Sequence, residues 1–288
     1  MVKYGKTQEA VKGTKRMPQK DSFIRWAGGK TWFIAHLDQI LSHLKTEHYH
    51  EPFLGSGAVF FSLHHSKRSY LSDANKQLVN AYIQVRDRPN EVIESFLRFR
   101  NTEEDYYTVR DELSEDNTIE NAARFIFLNQ TSYNGIFRVN KEGKYNVPYG
   151  FRTYWRYDTD RILRASRKLR NTRIVTGDFE INKYRIKKHD LVFLDPPYTV
   201  SHNTNGFIAY NQKLFSLEDQ YRLNRFIDYI KRKDAYYILT NAAHETITEI
   251  FERGDRRLEF CRQSLIGGKN AARQTITEFV FTNIPEGE

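Results

Sequence analysis

The sequence predicts an α/β protein whose mainly parallel sheet is covered by helices on both faces. Two observations support this fold class. Short apolar runs alternate with stretches of helical spacing over residues 21–85 and again from about residue 172, and glycine-rich joints follow early in the chain at AGGK and GSGA. Strands that alternate with helices are typical of parallel sheets. The 288 residues suffice for one large domain or for one domain with a substantial insertion.

The composition changes along the chain and predicts an insertion. Residues 21–85 and 172–288 carry the alternation of strands and helices, so we expect them to form one discontinuous domain. Residues 86–171 are mostly of helical spacing and strongly charged. Within them, residues 91–120 hold ten acids against three basic residues, whereas residues 151–173 hold eight basic residues and two acids. This middle zone therefore reads as an inserted helical subdomain.

The charge of the chain indicates a polyanionic partner. The net charge is +9 and the pI is about 9.4, which favours nucleic acid slightly over a basic protein that binds none. Residues 1–20 carry six basic residues and one acid but no apolar segment, so they are not a secretory signal. We expect this stretch to be a basic tail that contacts DNA phosphates.

Several classes of protein are excluded by the composition. The single cysteine, Cys261, rules out an intrachain disulfide framework and any metal site with several cysteines. No run of 18 apolar residues occurs, so no membrane span is expected. A cytoplasmic protein that needs no metal is the simplest interpretation.

The first candidate ligand-binding element is HEPFLGSGAVFF, residues 50–61. A short strand runs into Gly55, Ser56 and Gly57 and then into an apolar helical stretch. Glycines let the backbone turn tightly and approach a ligand, and the start of a helix offers free N–H groups. Taken alone, such a glycine pair after a strand is more often only a turn.

Acidic residues end or follow four of the predicted strands: Glu51, Asp73 in YLSDAN, Asp178 in RIVTGDF and Asp195 in LVFLDPPY. An acid after the second strand commonly accepts hydrogen bonds from ribose hydroxyls, although Asp73 could instead cap a helix. The carboxyl ends of parallel strands meet at one edge of the sheet, where open α/β sheets bind their ligands. The four acids together predict a ligand-binding crevice.

The stretch LVFLDPPYTV, residues 191–200, has the chemistry of a site for a planar ring that bears an NH₂ group. Pro196 and Pro197 lack an N–H and offer only carbonyl acceptors, and the proline holds Asp195 extended. Tyr198 supplies a ring for stacking. Acceptors on both N–H bonds favour the charge that develops as a weakly nucleophilic ring amine attacks, and Asp195 could help remove the surplus proton. A tight turn with a capping Asp is the structural alternative.

The chain resembles the Dam-like (D12 class) site-specific DNA adenine-N6 methyltransferases. The likeness covers residues 21–284 and rests on FIRWAGGK, EPFLGSGAVF, YLSDAN, LNQTSYNGIFRVNKEGKYNVPYG, LVFLDPPY and the closing IGGKNAARQTITEFVFTN, in that order. It implies a Rossmann-like, S-adenosylmethionine-dependent sheet of seven strands, with a mainly helical target-recognition domain at residues 86–171. It also implies methyl transfer from S-adenosylmethionine to adenine N6 in double-stranded DNA by base flipping, with GATC as the first candidate target.

The resemblance also implies roles for particular residues around the cofactor and the flipped base. Asp195, the Pro196 carbonyl and Tyr198 would be catalytic and hold the adenine. Gly55 and Gly57 would let the backbone pass the methionine moiety. The full set of implied cofactor-binding residues is Trp26, Lys30, Glu51, Phe53, Gly55, Gly57, Asp73, Asp178, Phe179 and Asp195.

A second set of residues would contact DNA: Arg25, Tyr133, Asn134, Ile136, Arg138 and Pro148. Arg138 would read a guanine, for which arginine is the usual partner, although it could bind only phosphate. Tyr133 could instead belong to the core of the subdomain. Several relatives have lysine where this chain has Arg25, and the two side chains differ in geometry. The target sequence is therefore the least constrained of these expectations.

Other functions are compatible with the same loop. Cytosine N4, RNA adenine or a protein amide could be the methylated amine. A catalytically inactive, sequence-specific DNA-binding protein is an alternative of a different class, and failure to bind S-adenosylmethionine would support it. Double-stranded DNA is the expected partner, and a cognate restriction endonuclease that acts separately is a further candidate.

Overall fold

The computed structural model of the chain describes residues 21–64, 67–151, 157–199, 215–263 and 275–287. The predicted basic tail at residues 1–20 lies outside the described residues. So do residues 152–156 of the basic stretch and the IGGKNAARQ part of the closing motif, residues 266–274.

In the part of the chain that the structure describes, the strands form one seven-stranded sheet in the order β3-β2-β1-β4-β5-β7-β6. Strands β1 to β5 pair in parallel, whereas β7 runs antiparallel to both β5 and β6. The seven-stranded, mainly parallel sheet that the sequence predicts is thereby confirmed. The strands are β1 (Tyr49–Glu51), β2 (Ser69–Asp73), β3 (Thr172–Thr176), β4 (Leu191–Leu194), β5 (Tyr236–Ala242), β6 (Arg256–Gln263) and β7 (Thr275–Thr282).

The helices begin where the sequence offers caps. The side chains of Thr102, Thr118 and Ser216 each accept a hydrogen bond from the backbone N–H three residues on, and Ser216 forms a capping box with Asp219. The described helices are α1 (Ile34–Leu41), α2 (Ala58–Ser62), α3 (Lys76–Asp87), α4 (Pro89–Phe96), α5 (Glu103–Asp111), α6 (Ile119–Thr131), α7 (Asp160–Leu169), α8 (Leu217–Arg232) and α9 (Glu245–Phe251).

Apolar side chains cover the sheet on both faces. In β4, Leu191 and Phe193 belong to one buried cluster, which includes residues of α1 to α7. Val192 and Leu194 belong to a second cluster with α8 and α9. Successive residues of a strand point to opposite faces, so a strand that is apolar throughout requires a core on each side. The fully buried β4 shows why the sequence LVFL has no polar alternation.

Helices α4 to α7 lie between β2 and β3 in the chain and share the first of these cores. Val92, Phe96, Tyr106 and Ile126 are buried in the same cluster as Leu71 of the sheet. A separate target-recognition domain over residues 86–171 stays a prediction, because the helices of this region pack continuously with the helices that cover the sheet.

The local sequence pattern does not locate strand β6, although the family resemblance implies a sheet of seven strands. Its sequence, RRLEFCRQ, mixes charged and apolar residues, and among the described strands it pairs with β7 alone, at the edge of the sheet. Edge strands commonly carry charged side chains, which hide the apolar pattern by which inner strands are recognised. The end of the chain is therefore an antiparallel pair instead of a further alternation of strand and helix.

The strand order reverses between β1 and β4. Strands β2 and β3 continue the sheet on one side, and β5 continues it on the other. Ligands of open α/β sheets bind at the carboxyl ends of the strands at such a reversal. Within the described ranges, no helix is long and apolar enough to span a membrane, and no group of three or more His, Cys, Asp or Glu side chains could hold a metal ion.

Candidate active site

The four predicted strand-end acids meet at the carboxyl edge of the sheet. Glu51 ends β1, Asp73 ends β2, Asp178 follows β3 and Asp195 follows β4. All four line one cavity of about 560 Å³. The same cavity is lined by other residues that the sequence singles out, namely Trp26, Lys30, Phe53, Gly55, Phe179, Pro196 and Tyr198. Gly57 lies in the adjoining turn and not on the cavity wall.

The turn after β1 depends on glycine for two reasons. Gly55 has φ +45° and Gly57 has φ +62°, both in the left-handed region that L side chains rarely adopt. A Cβ at Gly55 would also lie 2.8 Å from Cδ1 of Trp26, and one at Gly57 would lie 3.0 Å from the Tyr82 hydroxyl. The turn therefore lets the Trp26 ring lie directly against the backbone at the cavity.

Glu51 is a buried carboxylate that accepts two hydrogen bonds. The Tyr49 hydroxyl donates to Glu51 Oε2 at 2.8 Å, and the Phe60 N–H donates to the same oxygen at 3.2 Å. Burial raises the pKa of the Glu51 carboxyl to about 8. The hydrogen bond from Tyr49 opposes this shift, while the nearby Asp195 carboxylate adds to it.

Asp73 holds the glycine turn to the second strand. Its Oδ2 accepts a hydrogen bond from the Gly55 N–H at 3.0 Å, and its Oδ1 accepts one from the Asn75 N–H at 2.9 Å. Burial raises the pKa of the Asp73 carboxyl, against these backbone bonds. The cap of α3 is Asn75, which accepts from the Leu78 N–H, so the alternative of a capping Asp73 is wrong.

Aromatic rings form the wall beside β3. Phe53 and Phe179 are stacked with ring centroids 5.6 Å apart and planes inclined by 25°. The Arg222 guanidinium lies 4.7 Å from the centre of the Phe179 ring and donates to Asp178 Oδ1 at 3.0 Å. Arg222, from α8, is a neighbour of the site that the sequence does not reveal, because it lies far from Asp178 along the chain.

Asp195 is held through one of its two oxygens. Lys30 Nζ lies 2.7 Å from Asp195 Oδ1, and the Thr240 hydroxyl donates to that same oxygen at 2.8 Å. Lys30 is only 4% exposed, and its Nζ also donates to the Gly28 carbonyl at 2.9 Å. Burial raises the pKa of the Asp195 carboxyl, and the Lys30 cation opposes that shift. Among the described residues, Asp195 Oδ2 has no hydrogen-bond partner.

Tyr198 is fixed at the same place by a residue of the last strand. Its hydroxyl donates to Glu278 Oε2 at 2.6 Å, and Lys30 Nζ lies 4.9 Å from the centre of its ring. The sequence pattern assigns no role to Thr240 or Glu278, although Glu278 lies within the closing IGGKNAARQTITEFVFTN motif. The local signal is a polar residue inside an otherwise apolar strand, ILTN in β5 and ITEF in β7.

The residues predicted to contact DNA gather around the turn after α6. Tyr133–Gly135 form a short 3-10 turn, in which Asn134 has φ 56°. Tyr133 is 53% exposed, so it is not part of a core, and its N–H donates to the Pro148 carbonyl at 2.9 Å. The Arg25 guanidinium packs so closely on Gly135 that a Cβ there would lie 2.7 Å from Arg25 Cζ.

A hairpin follows this turn and holds Arg138. The Arg138 guanidinium donates to the Asn146 side-chain oxygen at 2.9 Å and to the Asn146 carbonyl at 3.1 Å. The Tyr145 hydroxyl donates to the Ile136 carbonyl at 3.1 Å, which closes the hairpin from the inside. Arg138 is thus oriented by Asn146 on the opposite side of the hairpin before any ligand binds. We call residues 132–149, which include the turn, the recognition hairpin.

The recognition hairpin also supplies part of the cavity wall. Phe137 stacks on Trp26 with ring centroids 5.7 Å apart and planes inclined by 19°. Phe137, Val139 and Gly143 all line the cavity. Sequence reasoning missed these three residues, since nothing local to them shows that Trp26 lies opposite. The elements predicted to bind cofactor and DNA therefore share one surface.

Some basic residues of the stretch 151–173 form ion pairs within the protein. Asp21 pairs with Arg164 at 3.2 Å and with Lys168 at 3.0 Å, and Arg164 also reaches Asp158 at 2.9 Å. These cations of α7 are therefore not free to meet phosphates, contrary to the simplest interpretation of their charge. Arg167 and Arg170 are exposed and have no such partner in the described part of the chain.

Comparisons with known proteins point to one family. A family model described as D12 class N6 adenine-specific DNA methyltransferase matches residues 26–263. A type II methyltransferase of Lactococcus lactis subsp. cremoris is 32% identical, over 91% of this chain and 94% of its own. One from Methanocaldococcus jannaschii is 34% identical, over 76% and 83%. The DNA adenine methylase of Escherichia coli K12 is 29% identical, over 92% and 95%.

Proposed function

The chain belongs to the D12 class N6 adenine-specific DNA methyltransferase family, and from that premise we propose how its residues carry out the reaction. The methyl donor is S-adenosylmethionine, and the acceptor is the N6 amine of an adenine flipped out of double-stranded DNA. The proposal rests on the different surroundings of the two carboxylate oxygens of Asp195. Lys30 and Thr240 hold Oδ1, so that Oδ2 can accept a hydrogen from the amine.

The walls of the cavity suit S-adenosylmethionine. A volume of about 560 Å³ lies within the range of small-molecule sites. Each carboxylate can accept about four hydrogen bonds, so Asp73 retains capacity for ribose hydroxyls after binding two backbone N–H groups. Phe53 and Phe179 offer apolar faces for the adenine moiety. Asp195 would supply a negative charge to a bound sulfonium, and Glu51, which keeps its proton near neutral pH because its pKa is about 8, would supply a polar carboxyl group.

The catalytic loop would act on the amine through fixed acceptors. Asp195 Oδ2 and the Pro196 carbonyl accept the two N6 hydrogens and favour the positive charge that develops on nitrogen. Bound S-adenosylmethionine supplies an electrophilic methyl group, so that a nitrogen–carbon bond forms as the carbon–sulfur bond breaks and its electron pair leaves with sulfur. The surplus proton then passes from N6 to Asp195 or to water. Tyr198 holds the flipped ring by stacking.

The recognition hairpin would meet the DNA around the target. Tyr133, Asn134 and Ile136 would enter or press on the base stack, with Pro148 closing that element. Arg138, already oriented by Asn146, would donate to O6 and N7 of a guanine. Arg25 packs on the same turn and would contact a neighbouring base. GATC is the target sequence we propose.

The function is tested most directly by expressing the chain in a host that lacks adenine methylation. Modification-sensitive sequencing of the host DNA should find N6-methyladenine confined to one short motif. If the methylated motif is not GATC, the proposed target sequence is wrong but the proposed reaction stands. Unmodified DNA from cells that contain folded protein able to bind S-adenosylmethionine would favour an RNA or protein amine. N4-methylcytosine instead of N6-methyladenine would show that cytosine is the methylated base.

Asp195→Ala is the matched variant for the mechanism. It should fold and bind S-adenosylmethionine, yet lose methyl transfer by at least about 10²-fold, which is the usual effect of removing a group that stabilises developing charge. The partly exposed Asp228, on α8 and paired with Arg253, serves as the control for removal of a carboxylate in the variant Asp228→Ala. Turnover by Asp195→Ala close to that of the wild type would remove Asp195 from the mechanism.

The names of two relatives support a proposal about biological setting. Both are type II methyltransferases, so we expect a restriction endonuclease that acts separately on the same motif. Cell extract from the source organism should then cut a plasmid that lacks the modification and spare the same plasmid after treatment with the enzyme. A plasmid cut equally in both states would argue for a methyltransferase without a nuclease.

A further inference from the structure

We propose that Glu278 is the positioning residue of the catalytic loop, holding the Tyr198 ring and the Lys30 cation in register with Asp195. The inference rests on the proposed function of that loop. It concerns a residue of the last strand, far from DPPY in the chain, to which neither the motif nor the strand-end acids point.

The topology of the sheet explains how Glu278 reaches the site. Strand β7 runs antiparallel to β5, so the first half of β7 lies beside the carboxyl end of β5. Glu278 pairs in register with Ala242, the last residue of β5. An antiparallel strand thus delivers a side chain to the edge where the parallel strands end. Thr240, from the same end of β5, reaches Asp195 from that side.

A carboxylate at this position needs a reason, because a buried charge is costly unless it is paired and hydrogen-bonded. Glu278 is fully buried. Its Oε2 accepts from the Tyr198 hydroxyl at 2.6 Å, a length typical of a strong bond to a charged acceptor, and lies 3.9 Å from Lys30 Nζ. Both partners belong to the candidate active site.

The hydroxyl bond fixes the position of the Tyr198 ring. A tyrosine side chain turns about two bonds, and the hydroxyl oxygen lies on the axis of the second, so this anchor removes rotation about the first. The Lys30 cation lies 4.9 Å from the ring centre and 2.7 Å from Asp195 Oδ1, so the same ammonium contacts the stacking ring and the acceptor. Glu278 thereby links the Tyr198 ring and the Asp195 carboxylate, both of which would contact the flipped base.

Three variants test this link by single-turnover methyl transfer. Tyr198→Phe keeps the ring and removes the anchor, while Glu278→Ala removes the acceptor. Each should slow the chemical step by about tenfold or more, with dissociation constants for duplex DNA and S-adenosylhomocysteine within about twofold of the wild type. The double variant should be no slower than the slower single variant, because both changes break the same hydrogen bond.

Glu278→Gln is the conservative variant that separates positioning from folding. Its amide oxygen can still accept from the Tyr198 hydroxyl, so the rate should recover most of the loss seen in Glu278→Ala. It also guards the test if Glu278→Ala proves too unstable to purify. Glu259→Gln, on the neighbouring edge strand β6 and half exposed, is the control and should retain the wild-type rate.

The outcomes separate this inference from the function beneath it. A wild-type protein that transfers no methyl group to adenine would overturn the proposed function and this inference with it. An active wild type whose Tyr198→Phe variant is equally fast would overturn the inference alone. Multiplied losses in the double variant would do the same, since they would mean that Tyr198 and Glu278 act independently.

Discussion

Glu51 makes the stability of the protein depend on pH at neutral values. Its carboxyl has a pKa of about 8 in the folded chain, whereas glutamate ordinarily titrates near 4.5. Between these two values the folded chain keeps a proton that the unfolded chain gives up, so unfolding releases it. The stabilisation is therefore full below about pH 4.5 and is lost as the pH rises through 8.

We expect Glu51→Gln to reduce this dependence. For the one group, the wild-type free energy of unfolding should fall by up to about 1.4 kcal/mol for each pH unit between 5 and 8. The free energy of unfolding of the variant should fall less steeply with pH, and it keeps the contributions of Asp73 and Asp195, whose pKa values burial also raises. Denaturant unfolding at several pH values measures both lines, and parallel lines would show that Glu51 ionises normally.

Arg138 should control discrimination at a single base pair. Discrimination is the difference in activation free energy of methyl transfer between the target duplex and a duplex with one base pair changed. Arg138→Ala should reduce this difference by about 1–3 kcal/mol at one position. Asn146→Ala should do so less strongly, because it frees the guanidinium without removing it. Competition assays with duplexes that each differ from the target at one position provide the measurement. A uniform loss on every duplex would instead identify a phosphate contact.

Two glycines of the recognition hairpin separate the effect of backbone strain from the effect of displacing Arg25. Gly135 and Gly143 both have positive φ, at +63° and +80°, so alanine strains the backbone at either position. Only at Gly135 would the added carbon collide with Arg25, because at Gly143 nothing lies within 4 Å.

Gly135→Ala should therefore weaken binding to target DNA by about tenfold or more relative to Gly143→Ala, while both bind S-adenosylhomocysteine comparably. Fluorescence anisotropy with a labelled duplex and calorimetry with the cofactor product report the two affinities. Equal losses in both variants would mean that the position of Arg25 does not matter for DNA.

The sequence predicts those elements whose structure depends on neighbouring residues. Continuous apolar runs indicate the strands β4 and β5, and once a strand is recognised, the acid at its end can be identified as well. Glu278, Thr240 and Phe137 escape prediction because their roles come from strand order and from packing against distant parts of the chain. In the same way, β6 is hidden by the charges that an edge strand carries.

The charge of the whole molecule overstates the cations available to DNA. The formal net charge is +9, but Arg164 and Lys168 are paired with Asp21. Arg167 and Arg170 of the same region remain exposed. Counting basic residues in the sequence cannot separate the two kinds, because the pairing with Asp21 joins segments far apart in the chain.

The salt dependence of DNA binding should distinguish them. Neutralising Arg167 and Arg170 together as glutamines should reduce the slope of log K against log salt by up to about 2, because each cation that meets a phosphate adds close to one. Arg164→Gln should leave the slope unchanged and lower the melting temperature, since its guanidinium is held by Asp21 and Asp158. Affinities for a non-target duplex between low and physiological salt provide the slope.

The stack of Phe137 on Trp26 limits how such a protein can acquire a new target. Exchange of the hairpin with that of a relative would import different base contacts, but it would also replace one wall of the cavity that we propose binds S-adenosylmethionine. A transplanted hairpin without an aromatic ring at this position would bring altered recognition together with a weaker hold on the methyl donor. New sequence preferences in this lineage should therefore arise more readily by single replacements around Phe137 than by exchange of the entire segment.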